Sequence, residues 1–162
     1  MIGRLDHCCK AGAPAALFFL VTLPLTVWLY WPGVAGPMML DDYSSVVPVS
    51  LSAVADGSWK DFVFGDSAGP LGRPLSILTF VIEQRFLGMA LDEAKATNIL
   101  LHVLNGILVF CLVRLLPPSS AQRKAEWAAL LVAALWLFAP IHVSTVLYLV
   151  QRMAMLAAFF VL

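Results

Sequence analysis

Uninterrupted apolar sequence is the feature that most limits what this chain can become. From Ala13 to Trp31 no side chain carries a charge, and from Trp127 to Leu162 Arg152 alone carries a permanent one. A helix crossing the hydrocarbon of a bilayer needs roughly 20 consecutive, mostly apolar residues. Three tracts meet or approach that length: about Ala13–Trp31, about Ala94–Leu116 with Lys95 and Arg114 near its ends, and Trp127–Leu162. The last is too long for one helix. Pro140 and the polar group His142, Ser144 and Thr145 divide it into Trp127–Phe138, extended back toward Lys124, and about Val143–Leu162.

Composition agrees with the tracts. Hydrophobic residues make up 61% of the 162 and charged residues 12%, with a mean hydropathy of +0.89. A soluble domain holds ~45–50% apolar and ~25% charged residues, so this chain cannot cover a water-facing surface. Disorder needs low hydrophobicity and high net charge and is excluded. Ten basic and ten acidic side chains cancel, which leaves no field for a polyanion and argues against nucleic acid as a partner. Cys8, Cys9 and Cys111 are too few and too scattered for a disulfide framework or a zinc site. Cys8 and Cys9, on the cytoplasmic flank, are open to acylation or remain free thiols. The fold class expected is all-α: a polytopic membrane protein with about four transmembrane helices and the lipid bilayer as its solvent.

Basic residues set the direction. Arg4 and Lys10 precede the first tract, and Arg114, Arg123 and Lys124 lie between the second and third. The segment from Pro32 to Gly72 instead carries Asp41, Asp42, Asp56, Asp61 and Asp66 against Lys60. The positive-inside rule then puts the N-terminus in the cytoplasm, as expected for a bacterial inner membrane. The organisation that follows is a cytoplasmic tail over 1–12 and a first transmembrane helix over 13–31. An external region follows over 32–93, then a second helix over 94–116 and a cytoplasmic loop over 117–125. A third helix over 126–138, an external turn over 139–145 and a fourth helix over 146–162 complete it. The first helix is longer than a signal peptide's h-region and lacks a clear cleavage site, so it reads as an uncleaved anchor. Within the external region, Arg73-Pro74 opens an apolar run closed by Phe86-Leu87-Gly88. Proline suits a helix's first turn and glycine its end. A helix near 74–88 is expected, too short to span, lying on the outer interface or re-entrant. The chain stops inside apolar sequence, which points to the N-terminal part of a larger protein.

A few polar residues stand out. Asp41-Asp42 follow the first helix on the external side, where adjacent carboxylates suit a general base, a divalent-cation ligand or a solvated loop that helps set topology. Arg73 at the start of the short helix suits a lipid phosphate or a headgroup anchor. Asn98, His102 and Asn105 share one helical face, either lining a cavity or joining helices. His142 lies at the external turn. Arg152 follows ten residues later, roughly 15 Å deeper along a regular helix. An arginine at that depth is costly and marks function by default. It pairs with an acid, holds a lipid phosphate, or snorkels outward.

Taken in order, these motifs resemble a known family. They are Arg73-Pro74-Leu75, Thr79-Phe80, Phe86-Leu87-Gly88, Asn98-Ile99-Leu100-Leu101-His102-Val103-Leu104-Asn105 and Ala139-Pro140-Ile141-His142-Val143 with Val146 and Arg152. The pattern, from about Leu40 to Leu162, is similar to the N-terminal membrane region of the transmembrane-and-tetratricopeptide-repeat glycosyltransferases. Those resemble the wider GT-C class, which includes the protein O-mannosyltransferases. Ala139 stands where the family usually has histidine, Ser144 where an acid is common, and Gln151 where glycine precedes the arginine.

The resemblance implies a GT-C-like N-terminal portion and transfer of a sugar from a polyprenyl-phosphate carrier to an acceptor, a protein, outside the cytoplasm. It implies Asp41 or Asp42 as catalytic base or metal-associated acid, with a divalent cation possible there. Arg73 and Arg152 would hold the carrier phosphate, and Asn98, His102, Asn105 and His142 would line the cavity. A tetratricopeptide array would follow beyond Leu162. The reading from a different class is a non-catalytic membrane scaffold or a carrier-lipid transporter, which leaves the aspartate pair without a role.

Overall fold

The computed structural model describes residues 13–39, 41–48, 59–64, 73–90, 93–116 and 122–162. The tail over 1–12, Asp56 and Asp66 of the acidic stretch, and 117–121 of the loop expected in the cytoplasm lie outside the described residues. Among those described, every regular element is helical. Helix α1 (Ala13–Tyr30) runs into a 3-10 turn (Trp31–Gly33). Two short helices, α2 (Asp41–Ser45) and α3 (Trp59–Phe64), lead to α4 (Pro74–Phe86) and the long α5 (Ala94–Leu115). Then come α6 (Gln122–Phe138), α7 (His142–Leu147), a 3-10 turn (Leu149–Gln151) and α8 (Arg152–Val161).

Helix α5 is the centre of the bundle, packed on α6, α8, α7 and α1. Small residues set how closely the helices approach. Ala15, Ala129 and Ala133 are fully buried where α1, α5 and α6 meet around Phe110 and Leu130. Short side chains let backbones come near enough for close packing without help from water. Gly106 does the same between α5 and α6: a Cβ there would lie 2.6 Å from Leu137 Cδ2. In α1 the Thr22 and Thr26 hydroxyls donate to the carbonyls of Phe18 and Thr22, at 2.9 and 2.7 Å. Buried hydroxyls so satisfied within their own helix need no solvent.

Ring contacts fix the direction of the helices. Phe19 meets Phe110 at 5.1 Å and Tyr30 meets His102 at 5.3 Å, so α1 and α5 are antiparallel. Arg152 bonds to Asn98, and the Met155 carbonyl accepts from Asn105, so α8 runs parallel to α5. The C-terminal ends of α1 and α6 and the N-terminal ends of α5 and α8 therefore share one end of the bundle.

Helix α4 packs across that end. Ile77, Phe80 and Val81 join Val46, Val63, Ala94 and Leu149 in one apolar cluster, while Leu75, Ile82 and Phe86 stay exposed. Pro74 occupies the first turn behind Arg73. The last turn is widened: the Leu87 amide reaches back to the Ile82 carbonyl and the Met89 amide to that of Glu83. Gly88 closes it at φ 65°, a conformation that glycine adopts without a Cβ penalty.

Two helices are long and apolar enough to cross a membrane, Ala13–Gly33 with 21 residues and Ala94–Leu115 with 22. At 17 and 10 residues, α6 and α8 are shorter. Helix α6 begins at Gln122, before the 126 read from the apolar run, because its first turn carries charged side chains that composition had assigned to the loop. The single helix expected over 146–162 is corrected. Tyr148 is extended, at φ −97° and ψ 116°, and separates α7 from the 3-10 turn and α8. The cause is tertiary. Asn98 Nδ2 donates to the Tyr148 carbonyl at 3.2 Å, and the Val150 amide donates to Asp42 Oδ1 at 2.8 Å. Buried backbone groups that leave a helix need such partners. Arg152 is thus the first residue of a new helix, and its depth does not follow from a regular rise.

Candidate functional site

The polar residues concentrate where α1 ends and α5, α7 and α8 begin. Arg152 is at their centre and is fully buried. Its Nη1 donates to Glu83 Oε2 at 2.9 Å and to Thr79 Oγ1 at 3.0 Å. Nε donates to Asn98 Oδ1 at 2.8 Å and Nη2 to the Ala94 carbonyl at 2.6 Å. The guanidinium also lies 3.9 Å from the centre of the Phe80 ring, a cation–π arrangement. These bonds engage most of the five N–H donors that a guanidinium has. Of the tasks considered for Arg152 from sequence, the geometry here is that of pairing with an acid.

Glu83 is the partner that sequence reasoning missed. It stands first in the Glu83-Gln84-Arg85 run, which reads as the solvated end of an apolar helix. The signal was its register: Ser76, Phe80 and Glu83 share one face of α4, and all three are buried. A buried arginine on another helix requires such an acid.

The aspartate pair divides. Asp42 is fully buried; Oδ1 accepts from the Val150 amide at 2.8 Å and Oδ2 from that of Met39 at 3.2 Å. It holds α2 against the turn that precedes α8. Asp41 is exposed, and its backbone amide donates to the Tyr148 hydroxyl at 3.1 Å. Of the two aspartates, Asp41 is the exposed one.

Beside this pair lies a cavity of about 470 Å³, lined among others by Gly33, Pro37, Lys95, Val143, Leu147 and Tyr148. Lys95 is buried, and its ammonium donates to the carbonyls of Gly36 and Pro37 at 2.6 and 3.2 Å. The sequence marked Lys95 only as the end of a span.

None of the four residues expected to line a cavity lines this one. Asn98 and Asn105 bond to backbone carbonyls of the last segment, Asn105 Nδ2 to that of Met155 at 3.0 Å, as helix-joining side chains do. His102 faces the Leu137 carbonyl at 3.2 Å through Nε2. A carbonyl only accepts, so Nε2 carries the hydrogen. The His102 and His142 rings lie 5.3 Å apart, and Trp136 stands 4.7 Å from His142. Partial burial pushes the pKa of His142 below the ordinary histidine value. Arg73 sits at the N-cap of α4, half-buried and apart from the cavity lining. Among the described residues no group of three or more His, Cys, Asp or Glu side chains is arranged to hold a metal ion.

The chain matches no family model, and no curated protein or solved structure is significantly similar to it.

Proposed function

We propose that this chain is the N-terminal membrane portion of a GT-C-type glycosyltransferase, moving a sugar from a polyprenyl-phosphate carrier to a protein acceptor on the extracytoplasmic side. The membrane setting is supported by outward-facing apolar side chains. Leu20 and Trp28 on α1 and Leu135 on α6 are each more than 60% exposed, a surface suited to lipid rather than water. Four crossings follow if α6 and the segment over 146–162 traverse the bilayer with the two longer helices.

The observation that carries the reading is Asp41, an exposed carboxylate whose backbone is tied to Tyr148 on the cavity wall. In the proposed step the acceptor hydroxyl oxygen bonds to the anomeric carbon while its proton passes to Asp41. The bond from that carbon to the phosphate oxygen breaks, and the carrier phosphate leaves with the electron pair. Positioned general bases contribute ~10²–10⁴-fold. Asp42 acts as a positioning residue, since both of its oxygens serve backbone amides. Of Arg73 and Arg152, Arg73 stands outside the buried network and is the carrier-phosphate ligand, and a divalent cation, if used, would sit at Asp41.

The scaffold reading draws on one observation of its own: Arg152, Asn98 and Asn105 are engaged internally. Sugar transfer from a polyprenyl-phosphate donor, measured in membranes holding the protein, separates the two. Asp41→Asn should abolish transfer while leaving the fold intact. Transfer that persists in Asp41→Ala, Asp42→Ala and the double variant leaves the scaffold.

A further inference from the structure

Lys95 presents a charge with no counter-charge among the described residues. Its side chain is 2% exposed and lines the cavity, yet among the described residues no carboxylate pairs with it. Two of the three ammonium hydrogens are taken by the carbonyls of Gly36 and Pro37. The third has no acceptor among the described residues. A buried charge lacking an ion partner is costly, and two carbonyl dipoles offset only part of that cost. Arg152, on the same end of the bundle, has a carboxylate; Lys95 has none among the described residues.

The cavity around it is almost entirely apolar, with three side-chain donors and no acid among its lining residues. The Tyr148 hydroxyl accepts from the Asp41 amide, which leaves its own hydrogen to donate. The exposed Ser144 hydroxyl lies on the same wall. The remaining lining is largely apolar, with Gly33, Pro37, Val143 and Leu147, and no lining residue is acidic. A small free anion would gain nothing from those walls. An anion attached to a hydrocarbon chain would use both parts.

The position selects among such amphiphiles. Gly33 and Pro37 follow the exposed Trp28 and Trp31 at the end of α1, and tryptophan gathers at headgroup level. We propose that the Lys95 cavity binds the phosphate of an anionic bilayer phospholipid, with Lys95, Ser144 and Tyr148 as donors and the chain laid against Val143 and Leu147. The assignment rests on the membrane setting proposed above and on nothing about sugar transfer.

The test uses the purified protein in nanodiscs of phosphatidylcholine containing a minor share of phosphatidylglycerol, with retained lipid counted by native mass spectrometry. Wild type should retain phosphatidylglycerol selectively, and inorganic phosphate should not displace it. Lys95→Gln should weaken retention at least about tenfold, the scale of one charge-assisted hydrogen bond. Ser144→Phe, which fills the cavity and spares the lysine, should do the same. Lys124→Gln, an exposed lysine away from the cavity, should change nothing, and Asp41→Asn should keep the lipid whatever it does to transfer. If Lys95→Gln does not fold, Ser144→Phe decides. Equal retention of phosphatidylcholine, displacement by inorganic phosphate, or a Ser144→Phe variant that binds like wild type would overturn the proposal.

Discussion

Glu83 Oε2 lies 2.9 Å from Arg152 Nη1 with both side chains nearly free of solvent, and this pair joins α4 to α8. The two residues are far apart in sequence. Their contact ties the short helix to the first residue of the last helix, just past the turn that Asp42 holds through the Val150 amide.

Removing one member should cost more than removing both. Glu83→Leu leaves a buried guanidinium without its counter-ion, a loss of ~3–5 kcal/mol. Glu83→Leu with Arg152→Met replaces the pair by apolar groups and should recover part of that loss, the remainder reflecting the donors lost by Asn98, Thr79 and the Ala94 carbonyl. Thermal unfolding in detergent, followed by circular dichroism, checks both. A single variant as stable as wild type would show that the pair contributes little.

The two aspartates should separate by stability. Asp42→Asn loses charge-assisted bonds to the Met39 and Val150 amides and turns a donor toward one of them, costing ~1–3 kcal/mol. Asp41→Asn changes an exposed side chain and should stay within about 0.5 kcal/mol. The same unfolding measurement decides. If Asp41→Asn is the more damaging, the division of the pair fails.

How much of this was legible follows from where the causes lie. Arg73-Pro74 and Gly88 mark the bounds of α4 because proline and glycine restrict their own backbone, which is written locally. The bounds of α5 follow from apolar length in the same way. The break at Tyr148 has no local mark, neither glycine nor proline. It depends on Asn98 and Asp42, which reach it from distant sequence. Asn98, His102 and Asn105 do share a face, but periodicity reports only the face, and what that face meets is decided by the fold. Lys95 looked like the edge of a span because its burial comes from the Gly36–Pro37 turn folding over it.

Close packing at Gly106 gives a prediction free of charge effects. A Cβ there falls 2.6 Å from Leu137 Cδ2 and 3.0 Å from its Cγ. The Leu137 side chain must shift, or α5 and α6 must separate. Gly106→Ala should destabilise by ~1–3 kcal/mol, as overpacking does, and pairing it with Leu137→Ala should restore part of the loss. Additive losses in the double variant would mean that the two sites are not in contact.

His142 supplies a pH dependence whose sign is fixed. Burial lowers its pKa in the folded protein below the 6.5 of a free histidine. As pH falls through 6.5 the unfolded chain takes up the proton first, so the unfolded state gains protons that the folded state does not. Stability from this group is therefore complete above pH 6.5 and declines as the pH drops through the lower folded value. His142→Gln cannot titrate, so the difference in unfolding midpoint between wild type and this variant should shift against wild type between pH 7.5 and about 5. His102 lies 5.3 Å away and interacts with His142, so the two proteins are compared in a His102→Gln background. A gap independent of pH would show that the His142 ring titrates alike in the folded and unfolded chain.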